Sequence, residues 1–145
     1  VTAENSGITE VPIGLDPTLI ERKDGILKIK IGIIFFDLNK SDIRYDAAIE
    51  LNKVVLLMNQ YPTVVIKIES HTDSRADDQY NLELSDRRAK ATRDYIISQG
   101  ITAERIESAI GYGETQLINN CSNGVPCTEA QHQMNRRSEF IITKM

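Results

Sequence analysis

The chain has 145 residues, of which 41% are hydrophobic and 26% are charged, a composition typical of one globular domain with a buried core. Its net charge of -4 leaves no broad basic surface for a phosphate backbone, so we expect no nucleic-acid partner. No run of apolar residues approaches the length that spans a bilayer, so we expect no direct membrane insertion of this segment.

The N-terminal part of the chain shows little periodicity and contains turn-forming residues such as Gly7 and Pro12. We interpret residues 1–25 as a linker or an irregular lead-in, and residues 26–145 as the domain. The sequence starts without a signal peptide, which indicates either a cytosolic protein or a mature or excised fragment of a longer one.

The first half of the domain contains one strand pattern and one helix pattern. Alternating apolar residues over 26–36 predict a half-buried strand, with its far end covered on both sides. Apolar residues at helical spacing from Leu51 to Met58 predict an amphipathic helix that begins near Asp46. Pro62 is expected to end it, because the residue before a proline is disfavoured in the helical conformation.

A second strand and a second helix follow. The alternation from Val64 to Ile68 predicts a strand that runs on into His71. The helix is predicted at about residues 79–99, with Asp77 and Asp78 capping its first turn and a glycine ending it.

The last third of the chain completes a βαβαββ order. A strand is predicted at about residues 105–112, a helical turn near 129–133, and a final strand through Phe140 and Ile142. This order predicts an α/β (α+β) two-layer sandwich, with a small mixed sheet and the helices on one face. Each strand-helix-strand crossover should join parallel neighbours, and both strand-to-helix loops should lie at the same sheet edge.

The loop after the second strand and the helix that follows it carry a candidate binding site. Asp73 ends the strand region, and Asn81 and Arg88 lie two turns apart on one side of the helix. An acid and a guanidinium held on different elements could bind a ligand that carries both an ammonium and a carboxylate. A salt bridge between Asp73 and Arg88 explains the spacing equally well.

Catalytic and metal sites are less well supported by the same segment. Ser74 lacks the G-x-S-x-G context of a nucleophile, and no orienting group accompanies His71 and Asp73, so we expect no catalytic residue. His71 should instead pack at the strand end and brace the loop by hydrogen bonding. Asp73, Asp77 and Asp78 lack the spacing of a calcium loop, so we expect helix capping and no metal.

The two cysteines lie in a segment rich in turn-forming residues. Cys121 and Cys127 are six positions apart, and the chain between them could bring the two sulfurs together. Two separate thiols are the alternative. A zinc site is poorly supported, although His132 lies five residues further on. A disulfide would imply an oxidising compartment such as the periplasm.

Five short motifs together resemble the OmpA-like peptidoglycan-binding domain, which occurs in outer-membrane OmpA proteins, in Pal and in the flagellar stator protein MotB. The resemblance runs from about Ile31 to Thr143. The motifs are Phe36-Asp37-Leu38-Asn39-Lys40-Ser41, His71-Thr72-Asp73-Ser74, Asn81 with Leu84-Ser85 and Arg88-Ala89, Gly111-Tyr112-Gly113-Glu114, and Asn135-Arg136-Arg137.

The resemblance implies non-covalent binding of the peptide stem of peptidoglycan, without a cofactor. Asp73 and Arg88 correspond to the residues that grip the amino and carboxylate groups of diaminopimelate in the family. The supporting contacts that it implies come from Asn39, Asn81 and Arg136, with backbone groups of Asp37 and Thr72.

The resemblance also implies a place in the cell envelope. The domain would anchor the outer membrane to the cell wall from the periplasmic face, through an N-terminal domain absent from this segment. A hydrolase acting on peptidoglycan and a protein-binding scaffold without a cell-wall ligand are the alternatives.

Two details qualify this resemblance. The cysteine-bearing insertion resembles that of Bacteroidetes-type OmpA proteins, which supports the disulfide and a periplasmic location. Many family members have glycine near the position of Ala76, and if that glycine has a positive φ, the loop should take a different path here.

Overall fold

The computed structural model describes residues 19–32, 34–37 and 40–145. Its strands are β1 (Ile20–Lys23), β2 (Ile26–Ile29), β3 (Val65–His71), β4 (Ile106–Gly111) and β5 (Arg137–Lys144). Its α-helices are α1 (Tyr45–Gln60), α2 (Asp78–Ser98) and the short α3 (Glu129–Gln133), and a 3-10 turn at Ala103–Arg105 leads into β4. Both long helices begin and end within about one residue of the predicted bounds.

The strands form one five-stranded mixed sheet in the order β1-β2-β5-β3-β4. The crossover through α2 makes β3 and β4 parallel neighbours, as predicted. The crossover through α1 also joins strands that run parallel, but the expectation that β2 and β3 are neighbours is wrong, because β5 lies between them and is antiparallel to both. Phe140 of this central strand is fully buried in the core.

An additional strand precedes the predicted sheet. β1 lies within residues 1–25, which we expected to be a linker or irregular, and it pairs with β2 in an antiparallel hairpin. Asp24 and Gly25 form the two-residue connection with φ angles of 53° and 78°, and positive values at both positions are typical of a type I′ turn. β2 itself ends at Ile29 rather than near Phe36.

The core lies between the sheet and its helices. Ile68 of β3 and Phe140 of β5 share one buried cluster with Leu51 of α1 and Ile96 of α2, and each of these side chains is fully buried. The α+β two-layer architecture with helices on one face is therefore confirmed. Within the described ranges, no helix has the length and apolar character of a membrane span.

The other face of the sheet carries a network of charges. Glu69 and Glu139 lie opposite each other on β3 and β5. The Oε1 atom of Glu139 accepts from Lys28 at 2.8 Å and its Oε2 atom accepts from Arg137 at 2.6 Å. These cations offset the repulsion between the two carboxylates.

Candidate functional site

A cavity of about 560 Å³ opens at the edge of the sheet where β3 ends and α2 begins. Its walls come from the segment before α1, the loop after β3, the first three turns of α2 and the start of β5. Five of the predicted site residues line it, namely Thr72, Asp73, Asn81, Arg88 and Arg136. The structure thus brings together residues that are up to 64 positions apart in the chain.

The Asp73 side chain lies at the base of this site and is only 9% exposed. Its Oδ1 atom accepts from the backbone N–H of Arg75 at 2.9 Å and from Arg75 Nε at 3.3 Å. Its Oδ2 atom accepts from Arg75 Nη2 at 2.8 Å and from Arg136 Nη1 at 2.6 Å. Burial raises the pKa of Asp73, but the hydrogen bonds from Arg75 and Arg136 outweigh it and lower the pKa to about 2.

Arg88 is held by the backbone rather than by Asp73. Its Nε donates to the carbonyl of Lys40 at 2.9 Å and its Nη2 to the carbonyl of Asp37 at 3.2 Å. The guanidinium carbon lies 4.7 Å from the centre of the Phe36 ring, a cation–π distance. Burial lowers the pKa of Arg88, although a guanidinium remains charged in proteins. The predicted alternative of an Asp73–Arg88 salt bridge is therefore wrong, because each side chain has other partners.

Asn81 fixes the loop between β3 and α2. Its buried Nδ2 donates to the carbonyls of Asp73 at 3.3 Å and Arg75 at 2.9 Å, and lies 3.2 Å from Glu114 Oε1. Asp77 also stabilises this junction, since its carboxylate accepts from the Tyr80 N–H at the start of α2 and confirms the predicted cap. Asn81 thus positions the loop that carries Asp73.

Glu129 and Arg75 are site residues that the sequence interpretation missed. Glu129 accepts from Arg75 Nη1 at 2.9 Å and from Arg136 Nη2, so it joins the two arginines that bind Asp73. These bonds lower the pKa of Glu129. A signal for its position was available in Thr128 and Gln131, which form a capping box that starts α3 at Glu129.

The remaining predicted site residues are Asp37, Thr72 and Asn39. The Asp37 carbonyl accepts from Arg88, and the Thr72 N–H donates to the Gly113 carbonyl at 2.9 Å. The Thr72 hydroxyl is buried and has no hydrogen-bond partner among the described residues. Asn39 lies outside the described residues, so its contact stays a prediction.

His71 packs at the end of β3, as predicted, but does not brace the loop through hydrogen bonds. Its ring stacks on Tyr112 with 5.6 Å between the ring centres, and both ring nitrogens are buried without a partner among the described residues. The Ser74 hydroxyl donates to the carbonyl of Cys121. Ser74 and His71 therefore do not form a nucleophile–base pair.

The buried His71 should make the stability of the fold depend on pH. Burial and the charge of Arg137 lower the pKa of His71 from 6.5 to about 4. Between these two values the unfolded chain binds a proton that the folded chain does not, so stability should fall as the pH decreases from 6.5 to 4. The loss amounts to at most roughly 3 kcal/mol, and below pH 4 this contribution levels off.

Urea unfolding of the wild type and of His71→Phe at a series of pH values measures this effect. Phenylalanine keeps a ring against Tyr112 but has no proton to bind, so the difference between the two proteins should change between pH 6.5 and 4. Parallel pH profiles for the wild type and His71→Phe would contradict this assignment.

The comparisons with known proteins identify the family. Residues 35–129 match the OmpA family. This chain belongs to the OmpA family. The match contains Asp73 and Arg88 and ends before Arg136.

Relatives of this OmpA-family chain are found in both sequence and structure. It is 40% identical over 109 residues to the peptidoglycan-associated lipoprotein of Agrobacterium fabrum, which covers 75% of this chain and 58% of that relative. The chain therefore spans less than two thirds of this relative. A MotB-like protein from Desulfovibrio vulgaris superposes with a TM-score of 0.70 at 21% identity, covering 85% of this chain and 76% of that one. The peptidoglycan-associated lipoprotein of Burkholderia pseudomallei superposes with a TM-score of 0.64 at 24% identity, covering 76% and 88%.

The disulfide of this OmpA-family chain is formed as predicted. Cys121 and Cys127 are bonded, with their Cα atoms 6.0 Å apart. The closed loop leads directly into Thr128 and Glu129. It thus brings the acidic start of α3 to the two arginines around Asp73.

The loop around Ala76 does not avoid the left-handed conformation. Ala76 has a φ of 78°, a positive value that glycine adopts more easily than alanine. The hydrogen bonds of Asn81 and Asp73 to the neighbouring Arg75 backbone explain why the loop is held in this shape.

Ala76→Gly should therefore stabilise the fold. A left-handed alanine costs about 1–2 kcal/mol, whereas the greater freedom of glycine in the unfolded chain costs about 0.5–1 kcal/mol, so a net gain of roughly 0.5–1 kcal/mol is expected. Urea unfolding measures it, with Ala48→Gly in α1 as a matched control that should lose up to about 1 kcal/mol. A loss of stability in Ala76→Gly would show that the turn is not strained.

Proposed function

We propose that this chain binds the diaminopimelate-containing peptide stem of peptidoglycan and leaves it chemically unchanged. The observation that carries the proposal is the pair of opposite charges at one cavity, the buried Asp73 carboxylate and the Arg88 guanidinium, which are held by separate partners. Diaminopimelate presents an ammonium and a carboxylate at the end of its side chain. Each of these groups has a partner of opposite charge in the site.

The proposed contacts assign one role to each residue. Asp73 accepts from the ligand ammonium, and Arg88 donates to the ligand carboxylate in a charge-assisted hydrogen bond. Thr72 lines the same cavity, and we assign its contribution to its backbone groups. Arg136 and Asn81 keep Asp73 in place, and Asn39 and the backbone of Asp37 complete the site.

Anchoring of the outer membrane to the cell wall is the role that we propose for this binding. It is supported by the family and by the related peptidoglycan-associated lipoprotein. The link to the membrane would be made by an N-terminal domain outside this segment, and the disulfide supports a periplasmic location. A modest affinity per site suffices, because many copies along the wall act together.

A non-enzymatic role is favoured over a hydrolase. The Ser74 hydroxyl is bound to the Cys121 carbonyl, and the His71 ring stacks on Tyr112 at the end of β3. Neither arrangement supplies an activated nucleophile. The curated relative is also named for association with peptidoglycan rather than for a reaction.

Calorimetric titration with two purified muropeptides tests the proposal. One carries diaminopimelate and the other carries lysine, which has the same ammonium but lacks the side-chain carboxylate. The diaminopimelate form should bind roughly tenfold or more tightly, since a charge-assisted hydrogen bond contributes about 1.5–3 kcal/mol. Equal affinities, or no binding of either, would contradict the assigned roles.

Two further measurements address the alternatives. Mass spectrometry of the muropeptides after incubation should show no new product, whereas cleavage would favour the hydrolase. A pull-down with purified sacculi should recover the protein, whereas failure would favour a scaffold that binds only proteins.

A further inference from the structure

We propose that Arg75 is an internal competitor for Asp73, so that the ligand ammonium must displace the Arg75 side chain in order to bind. This inference rests on the proposed function and deepens it. It makes Arg75 a residue that sets the affinity of the site rather than a direct contact of the ligand carboxylate.

The acceptor positions of the Asp73 carboxylate are already occupied by donors of the protein. A carboxylate has about four acceptor positions. Among the described residues four donors reach them, of which Arg75 supplies its backbone N–H, Nε and Nη2, and Arg136 supplies Nη1. An ammonium therefore gains a position on Asp73 only by replacing one of these donors.

The Arg75 side chain is the donor that is easiest to replace. It is 51% exposed, whereas the Arg136 side chain is 26% exposed. Its Nε and Nη2 contacts with Asp73 are 3.3 and 2.8 Å long, and both are longer than the 2.6 Å contact from Arg136 Nη1. Arg136 also directly precedes β5, which ties its backbone to the sheet. Arg75 lies in the loop between β3 and α2.

Glu129 gives the displaced Arg75 side chain a second partner. Arg75 Nη1 already lies 2.9 Å from Glu129 Oε1, on the solvent side of Asp73. A small rotation of the side chain would keep this ion pair while the contacts to Asp73 are released. The Glu129 side chain is 67% exposed, so the pair on its own is weak and the exchange is reversible.

This competition lowers the affinity of every ligand that places an ammonium at Asp73. An amine on its own has to replace a two-pronged guanidinium contact and gains nothing else. A ligand that also carries a carboxylate gains the interaction with Arg88, which Arg75 does not contest. Competition from Arg75 therefore weakens both kinds of ligand, and the preference between them comes from Arg88.

Calorimetry with Arg75→Gln tests this inference. The variant should bind the diaminopimelate muropeptide roughly tenfold more tightly than the wild type, because two charge-assisted contacts to Asp73 no longer have to be released. Binding of the lysine muropeptide should increase by the same factor, because both ligands displace the same Arg75 contacts. Arg75→Lys, which keeps the charge but loses the two-pronged geometry, should lie between the wild type and Arg75→Gln.

The controls separate this inference from the proposed function. Arg22→Gln removes the same charge from the exposed outer strand β1 and should bind like the wild type. If the wild type binds and Arg75→Gln binds equally or more weakly, Arg75 is not a competitor, while the proposed function stands. If neither protein binds either muropeptide, the proposed function itself fails. A measurement without ligand is also available, since Arg75→Gln should raise the pKa of Asp73 in an NMR titration, and an unchanged pKa would overturn the inference.

Discussion

Replacing Asp73 by asparagine should weaken binding of the diaminopimelate muropeptide by roughly 100-fold, because losing one member of a buried charge pair costs about 2–5 kcal/mol. Asparagine has the same shape but carries no charge, and its amide hydrogens would face the ligand ammonium. Arg75 and Arg136 would also lose their shared carboxylate and add positive charge at that point. Arg88→Met should cause a loss of similar size by removing the partner of the ligand carboxylate.

Calorimetry measures both losses, and two controls on α2 match them. Asp94→Asn and Arg93→Met remove the same charges from a surface pair in which Arg93 Nε lies 3.0 Å from Asp94 Oδ1. Both should bind like the wild type, and circular dichroism should show the same fold in all four variants. Wild-type affinity in Asp73→Asn and in Arg88→Met would defeat the assignment of the site.

The location of this site was predictable because it follows from periodicity. Alternation along β3 places Asp73 just beyond the strand end, and helical spacing places Asn81 and Arg88 on one side of α2. Both results depend on local geometry that repeats in every strand and helix.

The partners of these residues were not predictable in the same way. Arg75 folds back onto Asp73 in an irregular loop, where the next residue, Ala76, has a positive φ, and no periodic pattern predicts such a loop. Arg88 binds the carbonyls of Lys40 and Asp37. Every residue has a backbone carbonyl, so the sequence does not indicate which of them accept a hydrogen bond. The Asp73–Arg88 salt bridge looked plausible because only side-chain charges could be compared.

The order of the strands was also beyond local patterns. β5 pairs with β3 from Val65 to His71, although more than 65 residues separate the paired positions. The position of β5 between β2 and β3 therefore depends on pairing with a strand that is distant in the sequence. The hairpin of β1 and β2 is different, because Asp24-Gly25 is a local turn signal that could have been recognised.

Gly111→Ala should destabilise the fold by about 3 kcal/mol or more, which is at the upper end for overpacked sites. Gly111 ends β4 where α2 crosses it, and a Cβ atom there would lie closer than 3.0 Å to Asp86 N, Ser85 C and Ser85 Oγ. Two of these are backbone atoms, so no rotation of a side chain relieves the overlap. Relief would require the helix and the strand to separate, which would break the bond from Gly111 N to Asp86 Oδ1 at 3.1 Å.

Urea unfolding of Gly111→Ala and of Gly124→Ala separates crowding from backbone strain. Gly124 has a φ of 81° but no atom within 4 Å of an added Cβ, so its replacement should cost only about 1–2 kcal/mol. Equal losses in the two variants would mean that the contact between α2 and β4 yields easily.

A larger loss in Gly111→Ala should come with weaker muropeptide binding, because Ser85 Oγ also accepts from Gly113 N at 2.8 Å and the Gly113 carbonyl accepts from the Thr72 N–H. Moving α2 away from β4 would then displace Arg88 and the Thr72–Asp73 loop relative to each other, and with them the two charges on which the proposed binding depends.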